Sequence, residues 1–99
     1  MMKIKPTNHF YRAYKAYKKK HYQMSLVDDC VAAIVKNDTD FLKSHKDHVL
    51  IGELRELHVH RQYNDDWLLI YRIDQTTDEV VLILLDLGDH DSLSRKIHT

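Results

Sequence analysis

The chain has one cysteine, one proline and two glycines, and no apolar run approaches the roughly 20 residues a bilayer-spanning helix needs. Cys30 has no partner for an intramolecular disulfide and no CxxC metal motif, which fits a reducing cytoplasm. The N-terminus has no apolar segment behind its charges, so the expectation is a protein neither secreted nor membrane-embedded. Apolar content of 43% excludes wholesale disorder. Ninety-nine residues leave room for one core, so a single domain spanning 1–99 is expected.

Acid is missing from the first 27 residues, which hold Lys3, Lys5, Arg12, Lys15, Lys18, Lys19 and Lys20. All fifteen acidic residues follow, against the remaining eight basic ones, so a net charge of zero conceals a strongly basic N-terminal segment. Such asymmetry suits a face that meets nucleic acid or an acidic partner; the plainer alternative is a solvated helix face.

Apolar and basic residues alternate over Met2–Lys5, which predicts a short edge strand ended by Pro6. Thr7 or Asn8 can cap a helix in which Phe10, Ala13, Tyr14 and Tyr17 form one stripe, while Lys15, Lys18 and Lys19 point away. A second helix is expected from about Ser25 to Lys36, ending at Asn37-Asp38. From Gly52 the period changes to two. Strands are expected over Leu54–His60, Trp67–Ile73 and Glu79–Leu87, joined by turns at 63–66 and 75–78. The order predicts an α+β fold, with an N-terminal strand and a helical hairpin packed on an antiparallel sheet that ends in a three-stranded meander.

Eight histidines stand in this frame at informative places. His45, Asp47 and His48 precede the first meander strand, and His58 and His60 lie on it. Asp65 and Asp66 open the second strand, and His90 follows the third. Imidazoles beside a carboxylate, without a serine or cysteine nucleophile, suit proton-transfer chemistry such as RNA cleavage. His58-Val59-His60 also has the HxH spacing of metal sites, but no third ligand is fixed by sequence and no metal or other cofactor is expected. Glu53 and Glu56 read as solvated strand positions. Trp67 and Tyr71 read as core, with Trp67 also able to stack on a base. His9, His21, His45 and His98 acquire no assigned role.

Four segments carry a family likeness: Asp47-His48-Val49-Leu50-x-Gly52, Arg55-Glu56-Leu57-His58-Val59, Asp66-Trp67-Leu68-Leu69-Ile70-Tyr71-Arg72-Ile73 and Gly88-x-His90-x-x-Leu93. In this order the C-terminal half resembles the YafQ-type toxins of the RelE superfamily. That resemblance implies a RelE-like fold and a toxin of a type II toxin–antitoxin system. The toxin would enter the ribosomal A site and cut mRNA there, inhibiting translation. A cognate antitoxin would neutralise it and alone connect it to operator DNA. It also implies catalysis by His48, His58, Asp66 and His90. The residues themselves add the expectation of acid–base chemistry without metal, with Trp67, Arg61, Lys15, Lys18 and Lys19 as RNA contacts. The free toxin is expected to be a monomer.

Two departures stand out. Seven residues separate His58 from Asp66 where about three are usual, an even insertion that keeps side chains on their original faces. Near the GxH motif, Asp86 occupies the place of a phosphate-steadying arginine, for which Arg61, Arg55 or a helix lysine could substitute. The alternatives are a ParE-like inhibitor of DNA gyrase without nuclease activity, and a degenerate toxin acting only as an antitoxin-bound co-repressor.

Overall fold

A computed structural model describes residues 2–60, 66–76, 78–89, 91 and 93. His90, Arg61, Asp65 and the turn at 63–65 therefore lie outside the described residues. The described strands are β1 (Met2–Pro6), β2 (His48–Ile51), β3 (Leu54–His58), β4 (Leu68–Gln75) and β5 (Val80–Gly88). They form one sheet in the order β1-β5-β4-β3-β2. β1 runs parallel to β5 at one edge, and all other pairs are antiparallel. The helices are α1 (Asn8–Lys19), α2 (Ser25–Lys36) and a short α3 (Thr39–Ser44).

Local chemistry sets these boundaries. Thr7 is the N-cap of α1: its Oγ1 accepts from the Phe10 N–H at 3.1 Å. The same hydroxyl donates to the Leu84 carbonyl at 2.9 Å, so the cap also fastens the helix start to β5. Lys18 and Lys19 close the last turn of α1, where the helix dipole favours cations. α2 ends as expected at Asn37, in the left-handed conformation at φ 54° that asparagine tolerates. Asp38 then caps α3 by accepting from the Phe41 N–H at 3.2 Å.

The strand reading needs one extension. His48, expected in the loop before the first meander strand, instead begins β2 (His48–Ile51), which makes a hairpin with β3 across Gly52-Glu53. The turn works because Gly52 sits at φ +57°, where a glycine meets no Cβ penalty. The meander thus has four strands, β2 to β5.

Alternation along the strands divides the sheet into two faces. Leu57, Leu69, Tyr71, Leu82 and Leu84 turn to the helical side and pack with Phe10, Val27, Cys30 and Ile34. Leu68 and Ile70 turn to the other side, where Leu50, Leu85 and Leu93 close over them. Trp67 and Tyr71 are core residues, as expected. A bulge leaves Leu85 without a partner between the pairs Ile70↔Asp86 and Tyr71↔Leu84. It puts Asp86 level with Ile70 and Glu56 across the non-helical face, because directly opposed residues point the same way.

Candidate active site

The pairing His48↔Glu56 and the two-residue step from Glu56 to His58 bring three polar side chains together on the non-helical face. Glu56 Oε1 lies 3.5 Å from His48 Nε2 and 3.7 Å from His58 Nε2. The His48 and His58 ring centres are 6.2 Å apart. Glu56 is only 6% exposed, which corrects the reading of it as a solvated position. A carboxylate at that depth has lost most of its hydration and needs compensating positive charge or hydrogen bonds. Two imidazoles stand where they can supply it.

Hydrogen bonds behind the two histidines hold the His48 ring and the His58 backbone in place. His48 Nδ1 is 2.7 Å from the Lys46 carbonyl, so it carries the proton and donates. In the neutral ring Nε2 is then the basic nitrogen, and it is the one that faces Glu56. Lys46 adopts a left-handed φ of 57°, the kink that turns its carbonyl to this use. His58 is held through its backbone: its N–H donates to the His45 carbonyl at 2.9 Å, and its own carbonyl accepts from His45 Nδ1 at 2.8 Å. His45, given no role from sequence, is thus a scaffold residue, stacked on Phe41 with ring centres 4.0 Å apart.

Immediately before His48, Asp47 points to the helical side. Its carboxylate accepts from Arg55 at 2.7 Å and from the Tyr71 hydroxyl. Arg55 is therefore engaged behind the sheet and does not substitute for the missing arginine at the site. Burial, followed by the Asp47 carboxylate, pushes the Tyr71 phenol well above its ordinary range and keeps it a neutral donor.

Asp86 is also buried, at 8% exposure. It accepts from the Leu87 N–H at 2.8 Å and lies 3.1 Å from His9 Nε2. A histidine of the first helix thus stands beside the acid that departs from the family pattern. The sequence signal was present in both residues but separated by 77 positions.

Of the residues expected to act, His48 and His58 meet. Asp66 lies two positions before Leu68, the cross-strand partner of His58, and it lines a separate hollow with Trp67, Tyr17, Tyr22 and Asp89. His60 does not join His58 in an HxH pair; its ring is 5.8 Å from that of Trp67. Lys15, Lys18 and Lys19 are exposed and, with Arg12, surround an open hollow on α1.

Among the described residues, His48, Glu56 and His58 form a group able to hold a metal ion, with one ligand atom from each lying within 4.8 Å of the others. Two imidazole nitrogens and a carboxylate oxygen suit zinc or copper(II). The same three groups can also exchange protons without any ion.

Helices packed on a mostly antiparallel five-stranded sheet in this order are the RelE-like toxin fold. Residues 2–95 match the family described as bacterial toxin of type II toxin–antitoxin system, YafQ, and the chain belongs to that family. The structure is similar to the toxin in the Escherichia coli DinJ–YafQ complex, with 26% identity over 94% of this chain and 98% of that one and a TM-score of 0.75. It is equally similar to a metal-bound toxin from Helicobacter pylori, with 28% identity over 94% of this chain and 99% of the other and a TM-score of 0.75. A YoeB/ParE toxin from Agrobacterium tumefaciens, at 17% identity and a TM-score of 0.64, shares the fold. No curated protein matches the chain by sequence.

Proposed function

We propose that this toxin is a ribosome-dependent mRNA endonuclease whose centre is the His48–Glu56–His58 group. The observation that carries this reading is a buried carboxylate between two imidazoles, with the basic nitrogen of His48 turned toward it. In the scheme, His48 Nε2 takes the proton of a ribose 2′-hydroxyl and Glu56 stabilises the resulting imidazolium. The 2′-oxygen bonds to the adjacent phosphorus as the bond to the 5′-oxygen breaks, leaving a 2′,3′-cyclic phosphate and a 5′-hydroxyl. His58 steadies the charge gathering on the phosphoryl oxygens. His90, two residues past the end of β5, donates the proton to the leaving oxygen on the strength of its motif alone. Asp66 orients the substrate at the rim, with Trp67 next to it in sequence, and Arg61 contributes a phosphate contact on the strength of its sequence position alone.

Arg12, Lys15, Lys18 and Lys19 supply sequence-independent contact with ribosomal RNA. A single-domain, monomeric, cytoplasmic toxin, countered by a cognate antitoxin that alone reaches operator DNA, completes the reading. It agrees with the absence of any helix long and apolar enough to cross a membrane among the described residues, and with the DinJ-bound state of the E. coli relative.

A second reading uses the same three residues as a metal site, favoured by their ligand spacing and by the metal-bound H. pylori relative. His48, Glu56 and His58 would hold the ion, which would supply Lewis-acid stabilisation or occupy the proton-transfer groups.

The test is to induce the protein in a bacterium and map new mRNA 5′ ends, beside a His58→Ala/Glu56→Gln double variant. In-frame cuts that vanish in the variant establish the nuclease. Arrest with intact mRNA points to gyrase, and no arrest to a co-repressor. Toxin stripped of transition metals before it meets programmed ribosomes, then assayed with and without added zinc, separates the two chemistries: metal-free cleavage is unaffected, and metal-dependent cleavage requires the zinc.

A further inference from the structure

Beyond the histidine site, toward the C-terminal end of β4, the non-helical face carries a second level of polar side chains. Alternation from Leu68 and Ile70 puts Arg72 on this face. Arg72 pairs with Ile83 of β5, and Ile83 pairs with Lys5 of β1. Paired residues point the same way, so Lys5, Ile83 and Arg72 form one row across three strands. The backbones of Lys5 and Arg72 stand two strand spacings apart, about 10 Å. Half-buried Ile83 lies between them as an apolar floor, and both side chains are long enough to close on one anion above it. The row is two residues from the level of Ile70 and Glu56, about 7 Å along the strand.

The charges around this row leave it able to take an anion. Arg72 meets Asp74 through one edge of its guanidinium, Nε to Oδ1 at 3.1 Å and Nη2 to Oδ2 at 3.3 Å. The other edge, made of Nη1 and the second Nη2 hydrogen, is directed away from Asp74 and remains a two-pronged donor. The Arg72 and Asp74 side chains are 35% and 41% exposed, so water screens the pair and the guanidinium charge is not cancelled. Lys3, one level further on, is committed to Glu79 at 2.6 Å. Lys5 is exposed and makes no hydrogen bond or ion pair among the described residues. It adds only a weaker pull on Glu79, whose carboxyl Lys3 holds below its ordinary range.

We infer that Lys5 and Arg72 together seat the phosphate next to the scissile one, so that the substrate strand crosses the non-helical face along β4; the inference rests on the nuclease reading above. Glu56 and Asp86 put two buried carboxylates on the level where the cut would occur, and a polyanion approaching them needs cations close by. Arg55 is turned to the other side of the sheet by Asp47, and Arg12, Lys15, Lys18 and Lys19 belong to α1, which packs on that side too. Register supplies Arg72 and Lys5 on the face of Glu56 itself. A carboxylate from a protein partner would turn both oxygens to the Arg72 fork and leave Lys5 idle. A phosphodiester has two unesterified oxygens that diverge, one for each cation.

Two measurements test this. Ribosomes are programmed with an mRNA carrying one methylphosphonate, which removes the charge from a single linkage flanking the cut. Wild-type cutting should fall about tenfold at the linkage the pair holds, the scale of a hydrogen bond to a charged group. Arg72→Ala and Lys5→Ala should each lower kcat/KM by a similar factor on ordinary mRNA and lose little more on the modified one. Lys3→Ala, the control, should keep the full wild-type sensitivity to the modification. Variants that cut ordinary mRNA like the wild type, or whose losses add to that of the methylphosphonate, overturn the inference and leave the nuclease reading standing. If the wild type cuts nothing, the nuclease reading fails, and binding still decides the seat. A short fluorescein-labelled 2′-O-methyl RNA is titrated with free toxin at several salt concentrations and followed by anisotropy. Each alanine variant should reduce the slope of log affinity against log salt by about one. Unchanged slopes, or no binding by the wild type, overturn the inference.

Discussion

His45 grips His58 by both polar groups of its main chain, giving its carbonyl to the His58 N–H and its Nδ1–H to the His58 carbonyl. The end of α3 thereby holds the end of β3, and the ring it uses is itself stacked on Phe41. Replacing His45 by alanine removes the side-chain bond and the stack but spares the backbone bond. Stability should fall by about 1–2 kcal/mol in a urea titration. Cleavage at saturating substrate should fall more than that loss of folded protein explains, because His58 loses its fixed position. Unchanged cleavage by the folded variant would show that β3 positions His58 unaided.

The Asp47 carboxylate is the other anchor of the site, held by Arg55 and the Tyr71 hydroxyl on the opposite side of the sheet from His48. Tyr71→Phe keeps the buried ring and deletes one donor to a charged group, at a cost of about 1–3 kcal/mol. Arg55→Met leaves Asp47 without its cation and should cost more, about 3 kcal/mol. Equilibrium unfolding of the two variants checks the order. If Tyr71→Phe proves the more damaging, the phenol and not the guanidinium is the principal partner of Asp47.

Alkaline pH should unfold this protein earlier than its neutral stability suggests. Burial pushes the Cys30 thiol from 9.0 up to about 12, and burial together with Asp47 raises the Tyr71 phenol from 10.0. Tyr14 and Tyr17 shift the same way. Folded-state values above unfolded ones mean that the folded chain holds protons the unfolded chain releases. That contribution is complete below pH 9 and is lost as pH rises through the raised values. Tm should be flat from pH 7 to 9 and decline steadily above it, and Cys30 should resist thiol reagents at pH 8 until the protein unfolds. A Tm that holds to pH 11 would refute the argument.

Much of this architecture was legible because local signals agreed with it. Thr7 and Asn37 bound the two long helices, and Phe10, Ala13, Tyr14 and Tyr17 fall on the buried or half-buried side of α1. What stayed hidden depended on distant partners. His48–Ile51 is a strand because Gly52 makes the turn and because Asp47 is fastened to Tyr71, 24 residues on. Period-two alternation grouped Glu56 with His58 but could not tell that their face is covered. That depends on Leu50, Leu85 and Leu93 closing over Leu68 and Ile70. The His9–Asp86 pair is likewise a product of parallel β1–β5 pairing, which no local pattern announces.

Glu56 gives the sharpest test of the site, because two accounts of it predict different things. If it merely holds the two rings in place, Glu56→Gln should alter stability and leave the folded enzyme's rate within a few-fold. If it stabilises the His48 imidazolium formed as the 2′-proton leaves, the same substitution should cut the single-turnover rate by about 100-fold, the usual scale of a proton-transfer contribution. His48→Gln should then lower the rate comparably, and the double variant should cost little more than either single one, as expected for groups that act as a unit. Additive losses would separate the two residues and return Glu56 to a structural role.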